Sequence, residues 1–391
     1  MLKQCVLCRR FITRTLLKSY SGRSKGSLAD GNVTPLRRLL EDASGFGEME
    51  AKDPELQWAT EPYAVKPGET QSETPYVDPK ETTVLLFPGQ GSQWVGMGKE
   101  LEKIPAARDL YELASSVVGW DVARVCRDGP SSELTRRCQT AVLVTSLAAL
   151  ERAREERPAA VERARAAAGF SLGEITALVY AAALPLDAAL RLVELRAAAM
   201  RACAQERRGG MLTLWLAPDA DLPRLLRAAR DHAGTGTPDP VCQVANYMYP
   251  GCKVIAGDEE ALRYAERHGA ALGVRRAARV RVEGAFHTPL MRGAEDALRE
   301  ALRHVEVSEP RLRVVSAVDA RPYRDAAHVR RQLARHVTRP VRWEQALHAL
   351  YARPRDHALP LTLTLGPGNT TRATLRQVNA RAWDASLNID V

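Results

Sequence analysis

No apolar run in this 391-residue chain approaches the roughly 20 residues that a membrane-spanning helix needs, so no helical span is expected. No G-x-x-x-x-G-K-[ST] phosphate loop occurs. In the loop at Gly89 the pattern G-x-G-x-x-G fails because Trp94 stands where the third glycine belongs. Nucleotide binding is therefore unsupported. A single C-x-x-C, Cys5 to Cys8, has no second pair to complete a zinc site, and no metal is expected. The other five cysteines (Cys126, Cys138, Cys203, Cys242, Cys252) are scattered and odd in number and read as reduced, mostly structural thiols. Repeats and low-complexity tracts are also missing.

Acidic residues are missing from one place in particular. Residues 1–29 hold Lys3, Arg9, Arg10, Arg14, Lys18, Arg23 and Lys25 without one Asp or Glu. Leu2, Val6, Leu7, Phe11, Ile12, Leu16 and Leu17 are interleaved with them, and serines follow. Basic, acid-free and amphipathic as a helix, this stretch reads as a mitochondrial transit peptide. Removing those seven from the 56 basic residues leaves 49 against 47 acidic ones, so the net charge of +9 belongs mostly to the leader. With no aromatic-rich basic surface elsewhere, nucleic acid is not an expected partner. The rest is globular in composition, 45% hydrophobic and 26% charged.

Residues 30–80 carry Pro54, Pro62, Pro67, Pro75 and Pro79 among many acids and read as a linker or wrapping segment. A continuous apolar run at 82–87 suits a strand buried on both faces, and it breaks at Pro88-Gly89-Gln90-Gly91-Ser92. Helical patterns follow: one buried helix from Leu134 to Leu150, then helices over 172–182 and 185–205. Strand and helix alternation of this kind predicts an α/β fold with a parallel sheet. From about 210 to 282 the predicted order becomes strand (211–216), helix (222–233), strand (241–246), strand (253–257), helix (259–268), strand (277–282). That β-α-β-β-α-β order is ferredoxin-like. The expected organisation is a large α/β-hydrolase-like domain, residues 81–209 and 283–391, interrupted by a small ferredoxin-like domain at 210–282. The later elements of the large domain are a helix at 289–305, a strand at 313–317, helices at 326–336 and 342–352, and a strand at 361–365.

The most telling motif is Gly169-Phe170-Ser171-Leu172-Gly173, directly after the apolar Ala166-Ala167-Ala168. A strand that turns sharply into a helix at such a serine lifts its hydroxyl clear of the sheet. The first helical N–H groups then point at whatever the hydroxyl attacks, and small flanking residues relieve the crowding of the turn. A serine nucleophile needs a base. Of eight histidines, His287 in Gly284-Ala285-Phe286-His287-Thr288-Pro289 is the best candidate, at the expected end of a strand-like segment; the other seven lie in charged or helical surroundings. The loop Phe87-Pro88-Gly89-Gln90-Gly91-Ser92-Gln93 can supply a second oxyanion donor. On these residues alone, three readings stay open: an acyltransferase, a thioesterase of the α/β-hydrolase kind, and a non-catalytic binding factor that keeps the scaffold.

The glutamine loop with Gly96-Met97, the serine motif through Glu174, and residues 284–291, in this order and spacing, resemble the malonyl-CoA:acyl carrier protein transacylases. The likeness runs from about residue 83 to about 378 and is nearest to the mitochondrial branch, which serves type II fatty acid synthesis. Phe170 departs from the bacterial pattern, which usually has histidine there. The resemblance implies Ser171 as nucleophile, His287 as its base, and backbone N–H groups of Gln90 and Leu172 as the oxyanion hole. It implies Arg196 as the cation that binds the malonyl carboxylate and Asn246 as an active-site residue of the small domain. It further implies a main-chain carbonyl that orients the histidine, from the stretch Pro340-Val341-Arg342-Trp343, and a structural role for Gly366-Pro367-Gly368-Asn369. Malonyl-CoA is then the substrate, mitochondrial acyl carrier protein the partner, and no cofactor is bound. The expected setting is the mitochondrial matrix and the expected state a monomer.

Overall fold

Thr83–Phe87, strand β1, is buried from end to end because it sits in the middle of a parallel sheet with a core on each side. Leu85 and Phe87 face one core, Val84 and Leu86 the other. The computed structural model describes residues 82–354 and 357–391; the transit peptide read at 1–29 and the wrapping segment at 30–80 lie outside them. After β1 come helices α1 (Pro105–Val118), α2 (Val122–Asp128), α3 (Ser131–Arg136), α4 (Cys138–Glu156) and α5 (Pro158–Glu162). Strand β2 (Ala164–Gly169) then pairs in parallel with β1 and leads into α6 (Leu172–Tyr180) and α7 (Leu186–Glu206). The segment read as one helix from Leu134 to Leu150 is in fact two. Arg137, with φ −106° and ψ 13°, leaves helical geometry between α3 and α4.

Next is a second sheet built from one continuous stretch: β3 (Gly209–Leu216), α8 (Leu222–Ala233), β4 (Cys242–Tyr249), β5 (Cys252–Asp258), α9 (Glu259–His268) and β6 (Val274–Arg279). All its pairings are antiparallel and its order is β4-β5-β3-β6. The last strand begins three residues before its expected start. Gly273, with φ +86°, makes the turn that lets Val274 enter the sheet, while Val280 and Val282 pack against the main core instead. The chain returns through α10 (Arg292–His304), β7 (Arg313–Val315), α11 (Ala326–Arg335), α12 (Trp343–Tyr351), β8 (Leu361–Leu365), α13 (Thr370–Val378), α14 (Ala380–Asp384) and β9 (Ser386–Ile389).

The first sheet runs β7-β2-β1-β8-β9, parallel throughout. Its outer strand β9 escaped the sequence reading because four residues containing Ser386 and Asn388 give no apolar run. Helices α4 and α6 cover one face, α12 and α13 the other. The C-terminal ends of β1 and β2 lie side by side, with Phe87 opposite Gly169. That pairing sets the glutamine loop next to the serine turn.

Candidate active site

Ser171 occupies the turn between β2 and α6 with φ +49° and ψ −108°, a strained conformation for a residue with a side chain. The surroundings enforce it. A Cβ on Gly169 would lie 1.8 Å from the carbonyl carbon of Gly173, and one on Gly173 would lie 2.4 Å from the carbonyl oxygen of Phe87. Only two bare backbones can pass so closely. The glutamine loop closes on the same turn: Phe170 N–H donates to the Phe87 carbonyl at 3.0 Å, and a Cβ on Gly89 would meet the Phe170 carbonyl at 2.3 Å. Phe170 itself packs edge-on against buried Trp343, ring centroids 5.7 Å apart, so its side chain belongs to packing.

His287 arrives from 116 residues downstream and places Nε2 3.0 Å from Ser171 Oγ. Its local setting differs from expectation. It lies in a loop, not at a strand end, with φ +62°, and its own N–H donates to the Val337 carbonyl at 2.9 Å. Nδ1 lies 2.8 Å from the carbonyl oxygen of His336. A carbonyl can only accept, so Nδ1 carries the proton and Nε2 presents its lone pair to the serine hydroxyl. The orienting carbonyl therefore comes from His336 rather than from the stretch 340–343. That stretch does something else: Val341 N–H donates to Ala245 at 2.8 Å, and Tyr247 N–H donates to Val341 at 2.9 Å. It stitches the small sheet to the site beside Asn246.

Arg196, on α7, is 2% exposed, donates from Nη2 to Ser171 Oγ at 3.0 Å and from Nη1 to Gln139 Oε1 at 2.6 Å, and has a buried Nε with no partner among the described residues. No carboxylate pairs with it among the described residues. Burial pulls its pKa down to about 10, which still leaves a cation at neutral pH. Burial, then the Arg196 charge, holds His287 down at about 4, so the imidazole is neutral and able to accept a proton. Gln139, at the start of α4, also donates to Gln90 Oε1 at 3.2 Å and so ties the glutamine loop to the guanidinium. Sequence reasoning passed over it; the available signal was a polar pair, Gln139-Thr140, heading an otherwise apolar helix.

Leu172 opens α6, where first-turn N–H groups have no intrahelical acceptor. Gln90 lies in the glutamine loop beside the serine turn. Asn246, on β4 at an irregularity of the β4–β5 ladder, is 7% exposed with Oδ1 lacking a partner among the described residues; it bridges to Val341 and makes no bond to Ser171 or His287. Gly366 and Gly368 press on Pro88 and Ser92 and brace the glutamine loop from behind. A cavity of 310 Å³ opens next to Gln90 and Gln139, reaching Phe286 and rimmed by Arg136, Arg201 and Arg281.

Residues 84–359 match the family described as acyl transferase domain. Over 82% of this chain and 85% of the relative, the chain is 48% identical to a probable mitochondrial malonyl-CoA-acyl carrier protein transacylase of Drosophila melanogaster. It is 40% identical to the mitochondrial malonyl-CoA-acyl carrier protein transacylase of Homo sapiens, covering 80% of this chain and 81% of that one. Among solved structures, a malonyl-CoA:acyl carrier protein transacylase from Xanthomonas oryzae superposes with a TM-score of 0.71 at 32% identity, covering 80% of this chain and 95% of that one.

Proposed function

The chain belongs to the malonyl-CoA:acyl carrier protein transacylases, and from that premise we propose that it transfers a malonyl group from malonyl-CoA to the phosphopantetheine thiol of acyl carrier protein. One observation carries the reading: a buried guanidinium without a carboxylate partner touches the hydroxyl that a neutral imidazole can deprotonate. An anionic acyl group is what that arrangement lacks.

His287 takes the Ser171 proton as Oγ attacks the malonyl thioester. The oxyanion rests on the N–H groups of Leu172 and Gln90, each worth about 3 kcal/mol of barrier. His287 then protonates the departing thiolate, and coenzyme A leaves. In the second half-reaction the carrier's thiol attacks the malonyl ester, with His287 again moving the proton. Arg196 receives the malonyl carboxylate through two parallel hydrogen bonds, a geometry lysine lacks. Asn246 Oδ1, without a partner among the described residues, is suited to accept from an amide N–H of the pantetheine arm. The 310 Å³ cavity, with its arginine rim, suits the entry of a phosphorylated pantetheine arm. No bound cofactor enters these steps.

A main-chain carbonyl as the partner of His287 Nδ1 supports transfer over a hydrolase, which normally brings an acidic side chain there. The intact serine, histidine and arginine speak against a purely binding role. We read the parallel-sheet part (81–209 and 283–391) as α/β-hydrolase-like. The insert (210–282) we read as ferredoxin-like, on its β-α-β-β-α-β order and four-stranded antiparallel sheet. Mitochondrial relatives support action in mitochondria; the matrix, the mitochondrial carrier as acceptor and a monomeric state complete the proposal.

Arg196→Ala tests it most directly. Malonyl transfer should fall by about 10-fold to 150-fold, the cost of one charged hydrogen bond or more, while acetyl transfer is spared or improved. An unchanged malonyl-to-acetyl ratio in matched kinetic assays would mean that another group reads the carboxylate.

A further inference from the structure

Behind the Ser171–His287 pair lies a second pair that the transfer steps leave unused. His336 lends its carbonyl to His287, yet its own imidazole is 1% exposed and neither ring nitrogen has a hydrogen-bond partner among the described residues. Burying such a ring without partners is costly. Its Nε2 lies 3.5 Å from Oε2 of Glu174, and its ring centroid lies 5.6 Å from that of His287. Glu174, fully buried in the first turn of α6, accepts hydrogen bonds from the Tyr323 hydroxyl and the Ala317 N–H. A proton on Oε2 would complete the set, because it could be donated to the lone pair of His336 Nε2. Glu174 is also the carboxylate whose field reaches Arg196, which has no carboxylate ion-pair partner among the described residues.

We propose that Glu174 and His336 form a proton-holding pair that answers the charge seated on Arg196. When the malonyl carboxylate docks, Glu174 takes a proton from solvent and offers it to His336 Nε2; when the acyl group leaves, the proton returns. No bond of the acyl group changes with that proton, and wherever Glu174 starts ionised the buried layer keeps the same net charge in both states. The inference rests on malonyl loading as proposed above.

The surrounding charges agree in sign. Burial raises Glu174 to about 7, against the lowering effect of Tyr323 and Ala317, with Asp319 raising it further; His328 lies beyond, bonded to Asp319. Burial, then Arg196 and His287, holds His336 neutral. Glu174 therefore stands near half-protonation at pH 7, and a second carboxylate on Arg196 drives it toward the protonated form. Proton uptake makes loading more favourable as pH falls, so the loading equilibrium should weaken about fivefold from pH 7 to pH 8.

The test is a single turnover of the full-length enzyme with malonyl-CoA at pH 7.5 in weak buffer with a pH indicator, with malonyl-CoA added to enzyme-free buffer as the blank. Wild type should take up about half a proton to one proton per malonyl-enzyme formed. Glu174→Gln and His336→Gln should load malonyl with almost none and should flatten the loading equilibrium between pH 7 and 8. Wild-type loading without proton uptake overturns the pair, as does undiminished uptake in both variants. The wild-type equilibrium read at pH 6, 7 and 8 decides the matter even where a variant fails to fold, since a pH-independent value also overturns it. Absence of any malonyl-enzyme would instead sink the transfer reading itself.

Discussion

The two sheets contribute to the site in different ways. The parallel sheet positions chemistry with backbone: β2 is Ala-Arg-Ala-Ala-Ala-Gly, its last four residues are buried, and its end carries a residue forced to φ +49° between two glycines that nothing else can replace. The antiparallel sheet contributes a side chain, Asn246, through an irregular ladder, and leaves β6 with Arg275, Arg276 and Ala277 exposed. One sheet sets distances by close passage of bare backbone; the other joins through hydrogen bonds at Val341, a bond from Gln243 to the His287 carbonyl, and side chains such as Ala245 and Val254 in the main core. Equivalent disturbances in the two should therefore have unequal consequences.

The largest contrast is expected at Gly173. Its substitution by alanine drives a Cβ to 2.4 Å from the Phe87 carbonyl oxygen and 2.6 Å from that of Pro88, both backbone atoms. The elbow and the glutamine loop must part, which separates Leu172 from Gln90. Stability should fall by about 1–3 kcal/mol, and transfer by about 100-fold or more, since a misplacement of about 1 Å at a reacting centre costs that much. Thermal unfolding and steady-state malonyl transfer measure the two effects. A near-normal rate would show that the elbow has slack and that the contrast between the sheets is false.

The elbow was legible in the sequence because its demands are local: glycines at fixed offsets from a serine, after a short apolar run, leave little besides a strand-to-helix turn. His287 was legible as a candidate, yet its setting was not. A positive φ held by a hydrogen bond from its own N–H to the Val337 carbonyl depends on chain 50 residues away. The orienting carbonyl was misplaced for the same reason, since any residue has a carbonyl and no side chain marks the one at 336. Gln139, Glu174 and His336 form a buried polar layer whose members come from three helices or their ends. Such a layer leaves no periodic trace. The α-β order of both sheets was readable from apolar runs, whereas β9 and the break at Arg137 were not, because neither short polar strands nor a single non-helical residue alters the pattern.

Polarisation of the chemistry toward the parallel sheet can be sharpened by pH. His287 is depressed to about 4 by burial and by Arg196, so the acid limb of kcat/KM for malonyl transfer should sit far below the usual 6.5. In Arg196→Ala the repelling cation is gone, and the limb measured with acetyl-CoA should move toward higher pH. Below its limb, wild-type activity should fall tenfold per pH unit. Stability follows the same sign: between pH 6.5 and 4 a histidine in the unfolded chain is protonated while His287 is not, so folding weakens as pH falls through that window. A limb near 6.5 in wild type would mean that His287 is solvated during catalysis.

The smallest effect belongs to the other sheet. Gly251 turns the β4–β5 hairpin with φ +73°, and a Cβ there would meet only the Leu216 carbonyl oxygen, at 3.4 Å. That distance is ordinary contact, so Gly251→Ala pays in backbone strain alone, about 1–2 kcal/mol for a left-handed residue. Because the turn lies at the opposite end of β4 from Gln243, which donates to the His287 carbonyl at 3.2 Å, the strain should relax within the small sheet before it arrives at His287. Stability should drop by that amount while kcat for malonyl transfer stays within about twofold, as measured by denaturant unfolding and initial rates. A loss of rate comparable to that of Gly173→Ala would show the opposite, that the antiparallel sheet fixes the place of His287 as tightly as the elbow fixes that of Ser171.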